Sequence, residues 1–264
     1  MSIYKCFPQG KFKVLTLSYD DGTVEDKRLV EIFNKHNIKA TFNINSGLME
    51  RPNKINSNEV KELYKGHEVA CHTVSHPTLE RCPISEVVEE IMKDRARLEE
   101  IVAYPVRGLA YPNGSYNSDI IKALPGLGIE YARIVGDTDS FGLPSNYYKW
   151  KSTCHHNHNL MENAKRFVEA DKSQYLYLMY VWGHSYEFSR DDNWELIERF
   201  CSFTGDRDDI WYATNIEIVD YMNLLDNIKF SANRDMVYNP SANSVWLSVD
   251  GHIIEVKGGT LFRI

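Results

Sequence analysis

The chain has 264 residues, of which 25% are charged and 43% hydrophobic. That length and balance suit one large domain, with or without a small appendage, and argue against disorder. Thirty basic residues against thirty-seven acidic ones leave a formal charge of −7, so the basic excess that draws nucleic acid or an anionic membrane is missing. No apolar run approaches the roughly 18–20 residues of a bilayer-spanning helix, and no transmembrane segment is expected. Met1 to Lys13 lacks a signal peptide's long apolar stretch and cleavage site, which makes a cytoplasmic location the expectation. The five scattered cysteines form no close-spaced framework and read as free thiols in a reducing compartment.

Strand and helix patterns alternate from residue 13 onward. Lys13 to Tyr19 is β-prone, and Thr23 with Asp26 three residues on reads as the cap of a helix carrying Leu29, Ile32 and Phe33 on one face. Ala40–Ile44 alternates as a strand, and His67 to Cys71 reads as another. The clearest helix runs from about Ser85 to Val102, where Val88, Ile91, Arg95, Leu98 and Val102 recur at spacings of three and four. Further strands are expected near Val106 to Tyr111, Ile129 to Ile134, Tyr175 to Trp182 and Ile210 to Ala213. Helical patterns fall near Asp119, Ala164, Trp194 and Glu217. Seven or so strands alternating with helices predict a parallel sheet closed, or nearly closed, into a barrel. After Leu225 no helical period survives; the β-prone runs and the hairpin signal Asp250-Gly251 predict a small β appendage over 227–264 beside a main domain of 1–226.

Four segments carry candidate chemistry. Tyr19-Asp20-Asp21-Gly22 places two carboxylates where a strand ends and a helix begins, and adjacent side chains diverge, so one acid can bind a cation while the other handles protons. His72 and His76, four residues apart after a strand, predict two imidazoles on one face of a helical turn; with a carboxylate from the same rim they suit Zn²⁺ with open positions. Arg107 precedes Tyr111-Pro112-Asn113-Gly114, and a guanidinium near Asp20 would hold that carboxylate ionised. The turn offers backbone N–H groups to an oxyanion, so Asn113 and Tyr111 join Trp182 as candidates for substrate or oxyanion contact. His184 ends a further strand and can protonate a leaving group. Each segment also has a plainer reading as a turn, a solvated acidic pair or a hydrogen-bonded core histidine. The run Cys154, His155, His156, His158 reads as surface, cleft lining or a second metal grip, in that order.

In this order these pieces resemble the polysaccharide deacetylase family, the NodB-homology proteins of carbohydrate esterase family 4. Leu17-Ser18-Tyr19-Asp20-Asp21-Gly22 is similar to its T-F-D-D-G motif and His72 to His76 to its H-[ST]-x-x-H motif. Arg107 with Tyr111 to Gly114 resembles the third motif, and His184 the histidine of the fifth. The resemblance implies a distorted (β/α)7-type barrel and a divalent metal, usually Zn²⁺, with Co²⁺, Ni²⁺ or Mn²⁺ as other choices. It implies removal of acetyl groups, most often N-acetyl, from a carbohydrate substrate. By position, Asp21, His72 and His76 would be the ligands, Asp20 the base, Arg107 its orienter and His184 the acid. The sequence departs from the family at the fourth motif, where Gly136 to Phe141 is the best stand-in and Asp139 the residue that would support the acid. Aromatic and polar residues around His184 point to a reshaped cleft. The competing readings are an O-acetyl sugar esterase, a catalytically silent carbohydrate-binding protein and, least favoured, a non-haem iron oxygenase using the same two histidines and carboxylate.

Overall fold

The computed structural model describes residues 1–264. Strand β1 (Ile3–Cys6) precedes β2 (Lys13–Asp20), α1 (Asp26–Lys35), β3 (Ala40–Ile44), α2 (Ser57–Leu63), β4 (Glu68–Cys71), α3 (Ile84–Val102) and β5 (Gly108–Ala110). There follow α4 (Ser118–Ala123), β6 (Tyr131–Asp137), β7 (Trp150–Ser152), β8 (Cys154–His155), α5 (Leu160–Glu169) and β9 (Tyr177–His184). After them come α6 (Tyr186–Arg190), α7 (Trp194–Thr204), β10 (Ile210–Tyr212) and α8 (Asn215–Asn227). The chain ends in β11 (Lys229–Phe230), β12 (Met236–Tyr238), β13 (Val245–Val249), β14 (His252–Val256) and β15 (Leu261–Arg263).

The nine-stranded sheet is parallel and runs β7-β6-β5-β4-β3-β2-β9-β8, with β10 also on β2. Strands β7 and β8 are halves of one stretch interrupted at Thr153; the first bonds to β6 and the second to β9. Thr153 N–H donates to the Tyr180 carbonyl (2.7 Å) while Thr138 N–H donates to the Thr153 carbonyl (3.2 Å), so this stretch closes the sheet into a distorted seven-stranded barrel. The closing strand is therefore 150–155, which carries no clean alternation. The stretch at 210, expected among the barrel strands, is a short flank on the lower part of β2.

Period-two alternation explains the layering. On β2, Leu15, Leu17 and Tyr19 join a core of 41 buried residues that includes Leu29 and Phe33 of α1. Thr16, Ser18 and Asp20 alternate with them and are also buried. The polar groups of that second face are hydrogen-bonded to their neighbours, as buried polar groups require. Thr16 Oγ1 donates to Asn215 Oδ1 (2.9 Å), Asn43 Nδ2 to Ser18 Oγ (2.8 Å), and Tyr131 Oη and Thr41 Oγ1 to the two oxygens of Glu68 (2.8 Å each).

Helix α3 matches its expected span to within a residue, but its buried positions are Val87, Ile91, Asp94, Leu98 and Val102, not Val88 and Arg95. Asp94 earns its burial by accepting from Ser46 N (2.7 Å) and His72 N (3.0 Å). Thr23 does not cap α1: the helix starts at Asp26, and Thr23 Oγ1 instead bonds Ser185 Oγ (2.9 Å).

The C-terminal strands form two three-stranded sheets, β1-β13-β14 and β11-β12-β15. The first includes the N-terminal strand, whose Ile3 to Cys6 pair antiparallel with Val249 to Trp246, so the appendage is built from both chain ends. Asp250-Gly251 is the expected two-residue hairpin turn, with φ of 48° and 86° and Val249 paired to His252. A second core joins Val237, Val245 and Leu247 to Ile218 and Leu225 of α8 and to Val14 and Trp150 of the barrel. All five cysteines are unpaired, and no helix is long and apolar enough to cross a membrane.

Candidate active site

Parallel register gathers the site at the C-terminal ends of the strands, the end where barrels carry their chemistry. Asp20, last residue of β2, is aligned with Asn43 on β3 and with His184, last residue of β9. Cys71 of β4 is aligned with Leu109 of β5, which sets His72 beside Ala110, and Ala110 in turn is aligned with Arg133 on β6. Six strands thus bring one residue each to a single rim.

Asp21, His72 and His76 converge as expected. Asp21 Oδ1 lies 3.8 Å from His72 Nε2 and 3.9 Å from His76 Nε2, and the three ligand atoms fall within 4.8 Å of one another. The tetrahedral edge for Zn–N and Zn–O distances near 2.0–2.2 Å is about 3.4 Å, so a modest contraction suffices. His72 Nδ1–H donates to the Ala110 carbonyl (2.8 Å), which leaves the Nε2 lone pair facing the acid. Burial takes the His72 pKa down to about 4, keeping the ring neutral despite Asp20 and Asp21 beside it. The donor set fits a divalent cation. The pair does not sit on a helical turn, however. Residues 72–78 form a loop in which Thr73 and His76 adopt φ of 66° and 63°, and Asn45 Nδ2 pins it through the His72 and Thr73 carbonyls (2.5 and 3.1 Å). Asp21 itself has φ of 78°. Of the three, the β-branched Thr73 is the one for which this conformation costs most, and the surrounding hydrogen bonds hold it there.

Asp20 is buried and doubly held. Asn43 Nδ2 donates to its Oδ1 (2.8 Å), and Arg133 Nη2 forms an ion pair with its Oδ2. Burial opposes the charge, but Arg133, His72 and His184 outweigh it and bring the pKa down to about 2. The guanidinium comes from β6 and not from Arg107. Arg107 stands before β5, at the opposite end of a strand only three residues long, where it pairs with Asp220 (2.6 and 2.7 Å) and Glu130 (3.1 Å). The signal for Arg133 was a lone arginine in the middle of a strand pattern, Tyr131-Ala132-Arg133-Ile134.

His184 Nε2 lies 4.0 Å from Asp20 Oδ2, and its Nδ1 lies 3.5 Å from Glu187 Oε2. Burial disfavours the imidazolium, but Glu187, Asp20 and Asp21 together raise its pKa above the ordinary value. Asp139 does not support this ring. Its carboxylate accepts from Asn163 Nδ2 (3.0 Å) in the loop after β6, and Glu187, one turn beyond His184, stands at Nδ1 in its place.

Two substrate-contact expectations also change. Tyr111 spends its N–H on the Arg133 carbonyl (3.1 Å) and its hydroxyl on the Tyr148 carbonyl (3.0 Å), and its ring stacks on Tyr116; it is wall, not cleft. Trp182 is buried, with the Arg133 guanidinium 4.5 Å from its ring centroid and its Nε1–H donating to Asp137 Oδ1 (3.3 Å). It is a platform for Arg133. Asn113 is exposed at the end of β5 with φ of 57°, and its Nδ2 donates to Thr78 Oγ1 (3.3 Å).

The comparisons agree with this fold. Residues 8–132 match the family model described as polysaccharide deacetylase. The chain is 26% identical over 115 residues to the peptidoglycan-N-acetylglucosamine deacetylase PgdA of Listeria monocytogenes, covering 42% of this chain and 24% of that protein. It is 28% identical over 117 residues to the chitooligosaccharide deacetylase of Sinorhizobium fredii, covering 43% and 53%. The matches therefore span between a quarter and about half of these relatives. The fold is shared with a chain from Mycobacterium smegmatis (TM-score 0.65, 15% identity, 84% of this chain and 94% of that one). It is also shared with the Xyl-CE4 domain of a multidomain xylanase from the hindgut metagenome of Trinervitermes trinervoides (TM-score 0.56, 14% identity, 80% and 92%). A CE4 family pseudoenzyme from Bacillus anthracis has the same fold (TM-score 0.53, 17% identity, 82% and 68%), so activity must be argued from the site.

Proposed function

We propose that this protein is a metal-dependent hydrolase that removes acetyl groups, foremost N-acetyl groups, from a carbohydrate. The observation that carries the reading is the meeting of the Asp21–His72–His76 group with a separately held Asp20 and His184. A divalent cation on those three residues, with Zn²⁺ the best match to two imidazoles and a carboxylate, would supply Lewis-acid polarisation of the acetyl carbonyl and a lowered pKa for water. Asp20, kept ionised by Arg133 and Asn43, takes the proton from the attacking water. His184 starts protonated and gives its Nε2 proton to the departing amine nitrogen as the C–N bond breaks, which turns a poor leaving group into a neutral one. The backbone N–H of Asn113 is the candidate donor to the oxyanion, a role worth roughly 3–4 kcal/mol. The named activities of the deacetylase relatives support an acetylated glucosamine-type substrate.

Acetate release from acetylated mono- and oligosaccharides, with and without chelator, tests the reading. Chelator-sensitive release from an N-acetyl sugar is expected. Release from O-acetyl sugars alone, with little dependence on His184, would favour the esterase; calorimetric sugar binding without any acetate release would favour the silent binder.

A further inference from the structure

Glu187 faces more than His184. Its Oε2 lies 3.0 Å from His155 Nε2 and 3.3 Å from His156 Nε2, on the side of His184 away from Asp20. All three side chains are buried, and their ligand atoms fall within 4.8 Å of one another. His156 is fully enclosed, its ring stacked on Phe188 (centroids 4.1 Å) and Tyr19 (5.7 Å). Gly183 makes room for it, since a Cβ there would run into His156 Nδ1. Yet neither ring nitrogen of His156 has a hydrogen-bond partner, a state that buried polar groups rarely tolerate.

One carboxylate oxygen cannot serve these imidazoles equally well by hydrogen bonding. His155 alone could use it at 3.0 Å, but His156 stays unpaired. A cation between the three atoms satisfies all of them at once. The two edges, 3.0 and 3.3 Å, lie just under the roughly 3.4 Å spacing of tetrahedral zinc ligands. We propose that His155, His156 and Glu187 bind a second divalent cation, separate from the Asp21–His72–His76 group and best matched to Zn²⁺. Burial of all three side chains makes it a structural site: it ties the end of β8 to α6 and so fixes the turn that carries His184. The proposal concerns binding alone and does not depend on the hydrolase reading.

Metal content of the purified full chain, dialysed against metal-free buffer and then titrated with Zn²⁺ or Co²⁺, tests it. Wild type is expected to saturate at two equivalents. The double substitution Asp21→Asn with His76→Ala should keep one, and Glu187→Gln and His155→Ala should each lose one while retaining the other. Saturation of wild type at one equivalent that vanishes with Asp21→Asn/His76→Ala overturns the proposal. One equivalent that survives that double substitution and vanishes in Glu187→Gln supports it and refutes the first site instead. Co²⁺ titration of wild type ending at two equivalents supports the second site even where a variant fails to fold, and an end point of zero overturns it.

Discussion

Arg133, within β6, forms the ion pair with Asp20, while Arg107 pairs with Asp220 at the far end of β5. Ala110 and Arg133 are aligned, so a small residue on β5 stands beside the large one on β6 that supplies the charge holding Asp20. Trp182 underlies that guanidinium, and Asp137 holds Trp182, so the support of Asp20 reaches to the end of β6.

Arg133→Gln should therefore lower kcat by roughly 100-fold, the scale of a misplaced reacting group, with little change in fold. Arg107→Gln should leave kcat within about twofold and cost stability only on the scale of a partly exposed ion pair, up to about 1 kcal/mol. Steady-state kinetics of the two variants side by side checks the assignment.

Glu187→Gln and Asp139→Asn form a second contrast. The first removes the anion at His184 Nδ1 and should reduce turnover by about tenfold or more, because orientation and charge of the acid both suffer. The second changes a carboxylate that accepts from Asn163 and should leave turnover near wild type. Equal effects would contradict the placement of the acid's support.

Asp20 must be ionised while His184 is protonated, and the site holds the first pKa low and the second high. With Asp20 ionised from about pH 5 upward, its acid limb lying down at about pH 2, the rate should stay level and then fall on an alkaline limb once His184 loses its proton. A profile of kcat/KM from pH 5 to 9 checks this; a flat line with chemistry rate-limiting contradicts the pair.

Stability should carry its own pH dependence from the buried Glu68. Burial raises its pKa from 4.5 to about 7, against the hydrogen bonds from Ile216, Thr41 and Tyr131. Between those values the folded state binds more protons than the unfolded one, so this group's contribution is full below pH 4.5 and is lost as pH rises through 7. Glu68→Gln should remove that decline. Tm of variant minus wild type, followed from pH 4 to 8, is expected to increase with pH.

Much of the fold was legible because buried parallel strands and amphipathic helices write their periods plainly: Ala40–Ile44 and the helix ending at Val102 match their sequence patterns closely. The barrel's closing strand was not, since Trp150 to His155 breaks at Thr153 and its pairing is set by two distant strands. At the site, Asp20, Asp21, His72, His76 and His184 could be named because each ends or follows a strand. Arg133 and Glu187 could not. Their roles depend on register across β5 and β6 and on a short helix after β9, relations that exist only after folding. Chain proximity misassigned Arg107 and Asp139 for the same reason. The appendage's debt to β1 is likewise invisible before the two chain ends meet.

The most direct test is metal content and turnover measured together on Asp20→Asn and His76→Ala, scored at the rim site by difference from wild type. The account predicts that Asp20→Asn keeps the full complement of metal and loses acetate release, whereas His76→Ala loses one equivalent and the activity with it. Equal metal loss in both variants, or full activity in the metal-depleted protein, would contradict the division of labour between Asp20 and the Asp21–His72–His76 group.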